Sequence, residues 1–268
     1  MVEMHCHILS GLDDGPVRME QSVAMAEKAA ASGITSIIAT PHHLNGQYHN
    51  EPMVVNQAVH MLRAELAKRN IRLQVRPGQE IRVHDRLIED LYAGKCCTLA
   101  GSRYMLLELP FGHIPSQFPE ILHELRIAGI TPIIAHPERN LVILKKPMLL
   151  SDYLNQGGLC QLTAQSFTGL FGRKVQKWCF HFCKENGFHF ISSDAHDVRL
   201  RTFELNGAYR LIARKFDYSV VQILKENAAL LWCNQTVEGQ KPPIRRRYRY
   251  FEGLPMFQRM KSKVEWRK

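Results

Sequence analysis

The feature that most constrains this chain is the regular alternation of short apolar runs, rich in β-branched residues, with longer segments of helical composition. The short runs have the length of strands, and the longer segments have the composition and apolar spacing of helices. The predicted strands are the run that holds His5 and His7, followed by residues 34–40, 71–75, 104–109, 130–135, 159–163 and 188–192. Parallel strands joined by helical crossovers produce such a pattern. The sequence therefore predicts an α/β fold whose sheet closes into a (β/α) barrel slightly short of eight units.

The predicted helices lie between and after these strands, at residues 19–33, 53–69, 83–92, 118–128, 149–156, 172–186, 203–216 and 220–227. No internal repeat or linker is present before Glu238, and Lys241-Pro242-Pro243 predicts an exit from the globular body. A chain of 268 residues that is 45% apolar can bury one large core. We therefore expect a single domain over residues 1–240 and a C-terminal tail over residues 241–268.

The formal charge of +10 comes mainly from this tail. Residues 241–268 hold ten Lys and Arg against two Glu, so the preceding residues are nearly neutral. A nearly neutral body is not typical of a nucleic-acid groove, and no nucleic-acid partner is expected. The tail interleaves basic and aromatic side chains between Arg245 and Tyr250, a pattern that suits weak contact with an anionic membrane or with a protein partner such as a kinase.

Neither secretion nor membrane insertion is expected from the sequence. The first residues do not show a basic region followed by an apolar region, and no run approaches the roughly 20 apolar residues that cross a bilayer. The seven cysteines are an odd number without the spacing of a disulfide framework, so reduced thiols are predicted. We therefore expect a cytoplasmic protein.

Residues that can bind metal ions recur at the carboxyl ends of the predicted strands. They are His5 and His7 on the first strand, Asp14 in the loop after it, and His42, Glu80, Glu108, His136, Asp194 and His196 at or after the later strands. These strand ends converge on one face of an α/β barrel, where such folds place their active sites. Five histidines and four carboxylates are too many for one tetrahedral zinc ion. The sequence therefore predicts a cluster of two or three Mn, Fe or Zn ions with nitrogen and oxygen ligands.

Most of these candidate ligands lie in five spaced motifs. The motifs are His5-Cys6-His7-Ile8-Leu9-Ser10-Gly11-Leu12-Asp13-Asp14-Gly15, Ala39-Thr40-Pro41-His42-His43, Gly78-Gln79-Glu80, Ala135-His136-Pro137-Glu138-Arg139 and Ser193-Asp194-Ala195-His196. Together they resemble the PHP (polymerase and histidinol phosphatase) superfamily. More narrowly, they are similar to the manganese-dependent protein-tyrosine phosphatases of capsule and exopolysaccharide operons in Gram-positive bacteria. The resemblance runs from Met1 to about Asn234. The family usually has Asp where this chain has Glu3, Pro where it has Ser10 and Asn where it has Asp197.

The resemblance implies a single-domain, distorted (β/α)7 barrel, a PHP-type relative of the TIM barrel, that holds three metal ions. Mn²⁺ is the expected metal, with Fe or Zn as alternatives. By the same resemblance, one ion is held by His5, His7, Glu80 and Asp194, a second by Glu80, Glu108 and His136, and a third by Asp14, His42 and His196. Arg139 and Arg201 match the positions of the phosphate-binding arginines of the family.

The implied activity is the hydrolysis of phosphotyrosine in a protein, expected to be a polysaccharide-export tyrosine kinase. A hydroxide that bridges two metal ions would attack phosphorus, because coordination lowers the pKa of water by several units. The guanidinium forks of Arg139 and Arg201 would bind the phosphate. An Asp or His beside the third ion would protonate the leaving group, and the candidates are Asp14, His42 and His196.

Three other functions fit parts of the sequence. The nearest is the hydrolysis of histidinol phosphate or another small phosphomonoester within the same superfamily. The spacing from Cys97 to Arg103 matches that of thiol-based tyrosine phosphatases. That loop, however, leads into a predicted strand and not into a helix N-terminus that would lower the thiol pKa. The third is a non-enzymatic binding module that acts through the tail.

Overall fold

Nine strands form the framework of the described chain. The computed structural model describes residues 1–186 and 188–237, and the predicted tail over residues 241–268 and the end of the predicted domain lie outside this range. The strands are β1 (Val2–Cys6), β2 (Ser36–Ala39), β3 (His42–His43), β4 (Gln74–Pro77), β5 (Glu80–Arg82), β6 (Tyr104–Glu108), β7 (Thr131–Ala135), β8 (Leu159–Thr163) and β9 (Phe190–Ser192). The longer ones are largely apolar, as strands buried on both faces require.

Ten α-helices lie between and after these strands in the described residues. They are α1 (Met19–Ala31), α2 (Pro52–Lys68), α3 (Leu87–Tyr92), α4 (Phe118–Ile127), α5 (Leu141–Lys145), α6 (Met148–Asn155), α7 (Ala164–Thr168), α8 (Gly172–Asn186), α9 (Leu205–Lys215) and α10 (Tyr218–Trp232). Local chemistry sets several helix ends. Pro52 begins α2, where its lack of an N–H is tolerated, and the Asn140 side chain accepts hydrogen bonds from the first N–H groups of α5. No helix of the described chain has both the length and the apolar character needed to span a bilayer.

The strands pair into two sheets, and every pair is parallel. Among the described residues, one sheet has the order β1-β2-β4 and the other has the order β3-β5-β6-β7-β8-β9. Neighbouring parallel strands point the same way, so their carboxyl ends lie along the same edge of each sheet. The predicted α/β architecture of parallel strands with helical crossovers is confirmed.

Two strand positions are interrupted, and the chain passes from the first sheet to the second at each interruption. Pro41 separates β2 from β3, because proline has no N–H to donate to a ladder. Gly78 lies between β4 and β5, where a Cβ atom would approach Ile38 to 2.8 Å. After these breaks, His42 of β3 pairs in register with Glu80 of β5. The interruptions therefore bring two predicted metal-binding residues side by side.

Hydrogen bonds join β1 to the segment that follows β9. Cys6 and Ala195 form an isolated parallel bridge. The His7 N–H donates to the Ala195 carbonyl at 2.9 Å, and the Asp194 N–H donates to the His5 carbonyl at 3.0 Å. The first and last predicted metal-binding segments are therefore neighbours through their backbones.

A buried carboxylate reinforces this junction. Glu3 has no exposed surface, and its Oε2 atom accepts a hydrogen bond from the Ser193 N–H at 3.0 Å. Its Oε1 atom accepts from the His5 N–H at 3.1 Å and from the Ser192 hydroxyl. Burial raises the pKa of Glu3, although these hydrogen bonds oppose the shift. Glu3 thus links the strand that carries His5 to the turn that carries Asp194.

Apolar side chains alternate between two clusters along the buried strands. On β7, Ile133 and Ala135 lie in the smaller cluster, whereas Ile134 lies in the larger one. The smaller cluster collects side chains from six strands, including Met4, Ile38, Leu106, Ile133, Leu159 and Phe190. The larger cluster packs the other faces of the strands against the helices. Both faces are covered, which explains the nearly continuous apolar sequence of these strands.

The region before Glu80 differs from the prediction. The strand predicted at residues 71–75 lies at Gln74–Pro77, because the Ile71 N–H closes the end of α2 by donating to the Leu66 carbonyl at 2.9 Å. Glu80 was predicted to follow a strand, but it is the first residue of β5. Glu80 still lies at the carboxyl edge, as predicted, because β5 starts after the break at Gly78.

Candidate metal centre

All nine predicted metal-binding residues lie in one place at the carboxyl ends of the strands. His5 lies on β1, His7 directly follows it, and Asp14 lies in the loop after that strand. Three more residues lie on strands: His42 on β3, Glu80 on β5 and Glu108 on β6. The last three lie in the segments after β7 and β9: His136, Asp194 and His196. Most of these side chains are buried; Asp14 is the most exposed. The parallel sheets thus collect side chains that are far apart in the sequence.

Three groups of donor atoms are compact enough to hold ions. Within each group the donor atoms lie within 4.8 Å of one another. The groups are His5, His7, Glu80 and Asp194; His7, Asp14, His42 and His196; and His42, Glu80 and Glu108. His7, His42 and Glu80 each belong to two groups, so the three groups are continuous. His136 joins them through Glu80, whose Oε1 atom lies 2.5 Å from His136 Nε2.

Several of these donor atoms are buried and have no hydrogen-bond partner within the described residues. They are His42 Nδ1, Glu80 Oε2, Asp194 Oδ1 and His196 Nε2. Glu80 Oε2 lies 3.3 Å from the Nε2 atoms of both His5 and His7. Leaving a buried polar atom unpaired costs about 1–3 kcal/mol, so such atoms rarely gather without a common partner. Converging nitrogen and oxygen lone pairs without a thiolate fit a cluster of divalent cations.

Two buried side chains orient the histidines of β1. His5 Nδ1 lies 2.9 Å from Gln161 Oε1, and His7 Nδ1 lies 2.6 Å from Asp13 Oδ2. Both partners are acceptors, so they suit a proton on each Nδ1 and leave each Nε2 as the nitrogen that can bind a cation. Sequence reasoning missed Asp13 and Gln161 as site residues. Asp13 could have been found as the neighbour of Asp14, and Gln161 as a polar residue in a buried strand.

The loop after β1 folds tightly over the strand end. Asp13 Oδ1 accepts from the Gly15 N–H at 3.0 Å, and a Cβ atom at Gly15 would collide with the His7 carbonyl oxygen. This path places Asp14 Oδ1 3.1 Å from His196 Nε2 and 3.5 Å from His42 Nε2. Burial alone would raise the pKa of Asp14, but the facing histidines, His196 first, lower it below its ordinary value.

Asp194 divides its two oxygens between the histidines and two arginines. Its Oδ1 atom lies 3.2 Å from His7 Nε2, whereas its Oδ2 atom accepts from Arg139 Nη2 at 2.6 Å and from Arg201 Nη2 at 2.7 Å. Burial by itself would raise the pKa of Asp194, but the charges of Arg201 and Arg139 hold it well below its usual range. The guanidinium of Arg139 also lies 5.3 Å from the ring centre of Phe171. The predicted phosphate-binding arginines therefore border the candidate metal centre.

Glu108 and His136 lie at the side of the cluster nearest to Arg82. Arg82 donates from Nε and Nη2 to Glu108 Oε2, at 2.9 and 2.8 Å. Burial and the charge of Glu80 raise the pKa of Glu108 in spite of this arginine. Burial and the charge of Arg139 lower the pKa of His136 to about 4, so its ring is neutral at neutral pH. A neutral imidazole keeps the lone pair that a metal ligand requires. Arg82 was not predicted to take part in the site.

Two of the candidate ligands have left-handed backbone conformations. His136 has φ of 30° and Asp194 has φ of 51°. Residues other than glycine rarely adopt this region, and such strain costs on the order of 1–3 kcal/mol. Each of the two residues follows the end of a strand, where the backbone turns sharply to direct its side chain into the cluster. The strain is therefore located where side-chain direction matters for the site.

The alternative thiol site at Cys97 does not have the geometry of a reactive cysteine. Arg103 directly precedes β6 and lies at its amino end, whereas the Cys97 N–H donates to the Gln79 side chain at 2.5 Å. Burial raises the pKa of the Cys97 thiol to about 11, which disfavours the reactive thiolate. Arg103 forms hydrogen bonds with Asn234 and Thr236. A thiol-based mechanism at this loop is therefore not supported by the geometry.

Comparisons with known proteins agree with these features. Residues 1–232 match the family model described as capsular polysaccharide synthesis, CpsB/CapC. The tyrosine-protein phosphatase YwqE of Bacillus subtilis (strain 168) is 40% identical over 248 residues, which cover 92% of this chain and 98% of YwqE. CapC of Staphylococcus aureus is 35% identical over 242 residues, which cover 90% of this chain and 95% of CapC.

A solved structure resembles the whole described fold. It comes from the crystal structures of YwqE from Bacillus subtilis and CpsB from Streptococcus pneumoniae, which are described as unique metal-dependent tyrosine phosphatases. The TM-score is 0.88 at 39% sequence identity, and the match covers 92% of this chain and 100% of that chain. Sequence and fold therefore match the same group of proteins over nearly their full lengths.

Proposed function

This chain belongs to the CpsB/CapC family of capsular polysaccharide synthesis, and we propose that it is a metal-dependent phosphatase that hydrolyses phosphotyrosine in proteins. The observation that carries this proposal is the convergence of nine nitrogen and oxygen donors at one sheet edge, next to two arginines. The donors suit divalent cations, and the arginines suit a phosphate group. Together they can hold the cations and bind the phosphate group, and phosphate-monoester hydrolysis by a metal-dependent enzyme requires both.

We assign the residues to three ions, with Mn²⁺ as the expected metal and Fe or Zn as alternatives. His5, His7, Glu80 and Asp194 would hold one ion, Glu80, Glu108 and His136 a second, and Asp14, His42 and His196 a third. In support, the first set is itself one of the compact groups, and the third set lies within another that also contains His7. When bound, the cations supply an activated water for attack on phosphorus and neutralise negative charge on the phosphoryl oxygens.

Arg139 and Arg201 bind the phosphate in this proposal. Each uses one Nη2 atom on Asp194 Oδ2, which leaves further N–H groups of each guanidinium for a second anion. The Nε atom of Arg201 is buried and has no hydrogen-bond partner among the described residues. Two guanidinium groups that meet at one carboxylate oxygen can bind adjacent edges of a tetrahedral phosphate.

The leaving group is proposed to depart on the side of Asp14 and His196. A cleft of about 190 Å³ opens beside these residues, and its walls include Pro16, Met25 and Val198. An aromatic ring gains free energy by covering apolar walls of this kind, whereas a small polar alcohol gains little. Polar side chains, Gln21 and Asp197 among them, line the rest of the cleft, so it suits a leaving group with an apolar ring and a polar oxygen, such as tyrosine.

Three side chains beside this cleft are the candidates that protonate the leaving oxygen. They are Asp14, His42 and His196. His196 Nδ1 donates to the Asp194 carbonyl at 2.9 Å, so its Nε2 atom faces Asp14. Asp14 and His196 therefore bring a facing titratable pair to the cleft, within reach of a departing phenolate.

The partner proposed for this chain is a phosphotyrosine protein, in particular a polysaccharide-export tyrosine kinase. This is supported by the family description, which concerns capsular polysaccharide synthesis, and by relatives named tyrosine-protein phosphatases. The predicted contact of the basic tail with a membrane or a kinase falls outside the described residues and stays a prediction, as does the cytoplasmic location.

We also infer that the two sheets form one distorted (β/α)7 barrel. β2 and β3 would be two parts of one strand position, and β4 and β5 two parts of another, which reduces nine strands to seven positions. The bridge between Cys6 and Ala195 would close the ring. The smaller apolar cluster, with side chains from six strands, supports an interior enclosed by the sheets.

The proposed function is tested with protein stripped of metal by a chelator and then supplied with Mn²⁺. A phosphotyrosyl peptide, histidinol phosphate and single-stranded DNA are compared as substrates. We expect hydrolysis of the phosphotyrosyl peptide to fall to background without metal, to return with Mn²⁺, and to exceed that of the other two substrates. Full activity of the stripped protein would overturn the proposal, and a preference for histidinol phosphate would identify the alternative phosphatase.

Two matched variants separate the metal mechanism from the thiol mechanism. Glu80→Gln removes a charge that faces His5 and His7, so loss of Mn²⁺ binding and of activity is expected. Cys97→Ser removes the thiol and is expected to keep both. Inactivity of a correctly folded C97S variant would contradict the metal mechanism.

A further inference from the structure

Exposed basic side chains follow three consecutive strands at the edge that carries the candidate centre. We call Lys145, Lys146, Arg173 and Arg199 the basic rim. They lie in the segments after β7, β8 and β9, and each segment leaves its strand at the carboxyl end. All four are exposed, and none of them forms an ion pair within the described residues. The rim therefore presents positive charge to solvent.

The same segments have almost no exposed negative charge to balance the rim. Residues 136–148 contain one acidic residue, Glu138, which is fully buried against Thr163 and Ser166. Residues 164–178 contain none. Residues 195–203 contain Asp197, whose carboxylate accepts backbone hydrogen bonds from its own turn. The positive charge along this half of the edge is thus only weakly compensated.

Short covalent and packing links place two members of the rim, Arg173 and Arg199, beside the proposed phosphate-binding arginines. Arg173 is two residues after Phe171, whose ring centre lies 5.3 Å from the Arg139 guanidinium. Arg199 is two residues before Arg201 in a turn held by Asp197, and Arg201 reaches Asp194. Charges separated by less than the Debye length, about 10 Å at 0.1 M salt, are only partly screened from one another.

The opposite half of the edge has a different charge. Residues 44–52 and 83–89, which directly follow β3 and β5, expose Glu51, Asp85 and Glu89, and Glu89 pairs with the exposed Arg86. The basic side is therefore a local feature of three neighbouring segments and does not reflect the overall charge of the chain, most of which lies in residues 241–268. A substrate that crosses the site meets positive charge mainly on the side of β7, β8 and β9.

We propose that the basic rim binds additional negative charge next to the target phosphotyrosine. The preferred substrate is then a phosphotyrosyl segment with nearby anionic groups, supplied by carboxylate side chains or by a second phosphate. Leu170, which is 50% exposed, and Leu200, which is 76% exposed, belong to the same segments as Arg173 and Arg199 and add apolar surface for the substrate. This inference depends on the proposed phosphatase function and specifies its substrate class.

The test compares kcat/KM for phosphotyrosyl peptides of equal length whose flanking residues are Glu, Gln or Lys. At low ionic strength, the Glu-flanked peptide is expected to exceed the Lys-flanked peptide by about tenfold, since steering by local charge raises association rates by at least this factor. The ratio should approach one at about 0.5 M salt, where screening is strong. A further peptide with a second phosphotyrosine in place of the glutamates identifies which anion is bound better.

Charge reversal locates the effect on the protein. The double variant Arg173→Glu with Arg199→Glu is expected to abolish or invert the ratio between Glu-flanked and Lys-flanked peptides. The matched control reverses Lys28 and Arg72, which are exposed in the last turn of α1 and just before β4, and therefore lie toward the amino ends of the strands. The control should keep the wild-type ratio.

The outcomes separate this inference from the proposed function. A wild-type ratio near one at low salt, for both carboxylate and phosphate flanks, would overturn the basic rim as a substrate site. A ratio that survives reversal of Arg173 and Arg199 would also overturn it. If p-nitrophenyl phosphate and all of the peptides remained unhydrolysed with Mn²⁺ present, the proposed function itself would fail.

Discussion

His7 Nδ1 and Asp13 Oδ2 lie 2.6 Å apart, and neither side chain is exposed to solvent. The same carboxylate oxygen accepts the His42 N–H at 3.1 Å, so one buried aspartate orients two candidate metal ligands. A negative charge behind an imidazole makes the opposite ring nitrogen a stronger donor. Asp13 therefore supports His7, which belongs to two of the three donor groups.

Replacing Asp13 should weaken metal binding without changing the size of the side chain. Asp13→Asn removes the charge behind His7, and we expect the affinity for Mn²⁺ to fall about 10–100-fold. Competition with a fluorescent chelator measures this affinity directly. Asp152→Asn, the same exchange at an exposed position of α6, is the control and should bind as the wild type does. Equal affinity in D13N would show that Asp13 does not support the ligands.

The first loop should not tolerate a methyl group at Gly15. Gly15→Ala would drive a Cβ atom into the His7 carbonyl oxygen, so the loop that carries Asp14 must shift. We expect a loss of stability of about 1–3 kcal/mol and weaker binding of Mn²⁺. Urea unfolding of the metal-free protein measures the first effect. Gly112→Ala, where a Cβ atom would have no neighbour within 4 Å, should be nearly neutral. Equal stability of the two variants would contradict the close approach.

The shape of the Arg201 side chain should matter as well as its charge. Arg201→Lys keeps the charge but loses the planar set of N–H groups that meets Asp194 and, as proposed, phosphate. We expect kcat/KM on a phosphotyrosyl peptide to fall at least about tenfold, as the loss of one charge-assisted hydrogen bond predicts. Arg210→Lys, at an exposed position on α9, should have no effect. Wild-type kinetics for R201K would exclude a bidentate contact between Arg201 and phosphate.

His189 should make the protein sensitive to acid. Its Nδ1 atom accepts a hydrogen bond from the Cys160 N–H at 3.2 Å, and burial lowers the pKa of His189 to about 4. The unfolded chain binds this proton near the ordinary pKa of about 6.5. The unfolded state therefore takes up more protons as the pH falls below that value, and folding stability decreases until the pH reaches the folded pKa.

The variant His189→Asn isolates this contribution, because its amide oxygen can accept the same hydrogen bond and does not titrate. The difference in unfolding free energy between wild type and variant is expected to shift by about 1–2 kcal/mol against the wild type between pH 7 and pH 5. Urea unfolding at a series of pH values measures it. A constant difference across this range would show that His189 keeps an ordinary pKa in the folded protein.

The sequence predicted the elements that have a clear local pattern of apolar residues. β8 was predicted at its observed bounds, and β6 and β7 within one residue, because strands buried on both faces are continuous apolar runs. α8 was predicted at its observed bounds as well. The nine candidate ligands could be named in advance because parallel strands present their carboxyl ends at one edge, whatever the exact length of each strand.

The sequence could not predict features that depend on contacts between distant segments. β3 has two residues and β5 has three, and neither has a local pattern that favours a strand. Their pairing follows from the breaks at Pro41 and Gly78. In the same way, nothing near Gln161 indicates that its amide faces His5, because that contact depends on how β8 lies relative to β1.

The junction between β1 and the segment after β9 has a consequence for how the protein acquires its ions during synthesis. His5 and His7 are synthesised long before Asp194 and His196, which follow the last strand. A donor group that joins these residues is therefore complete only after the segment after β9 has docked on β1. On the proposed assignment, an ion shared by His5, His7 and Asp194 binds to the folded chain and not to the isolated first strand.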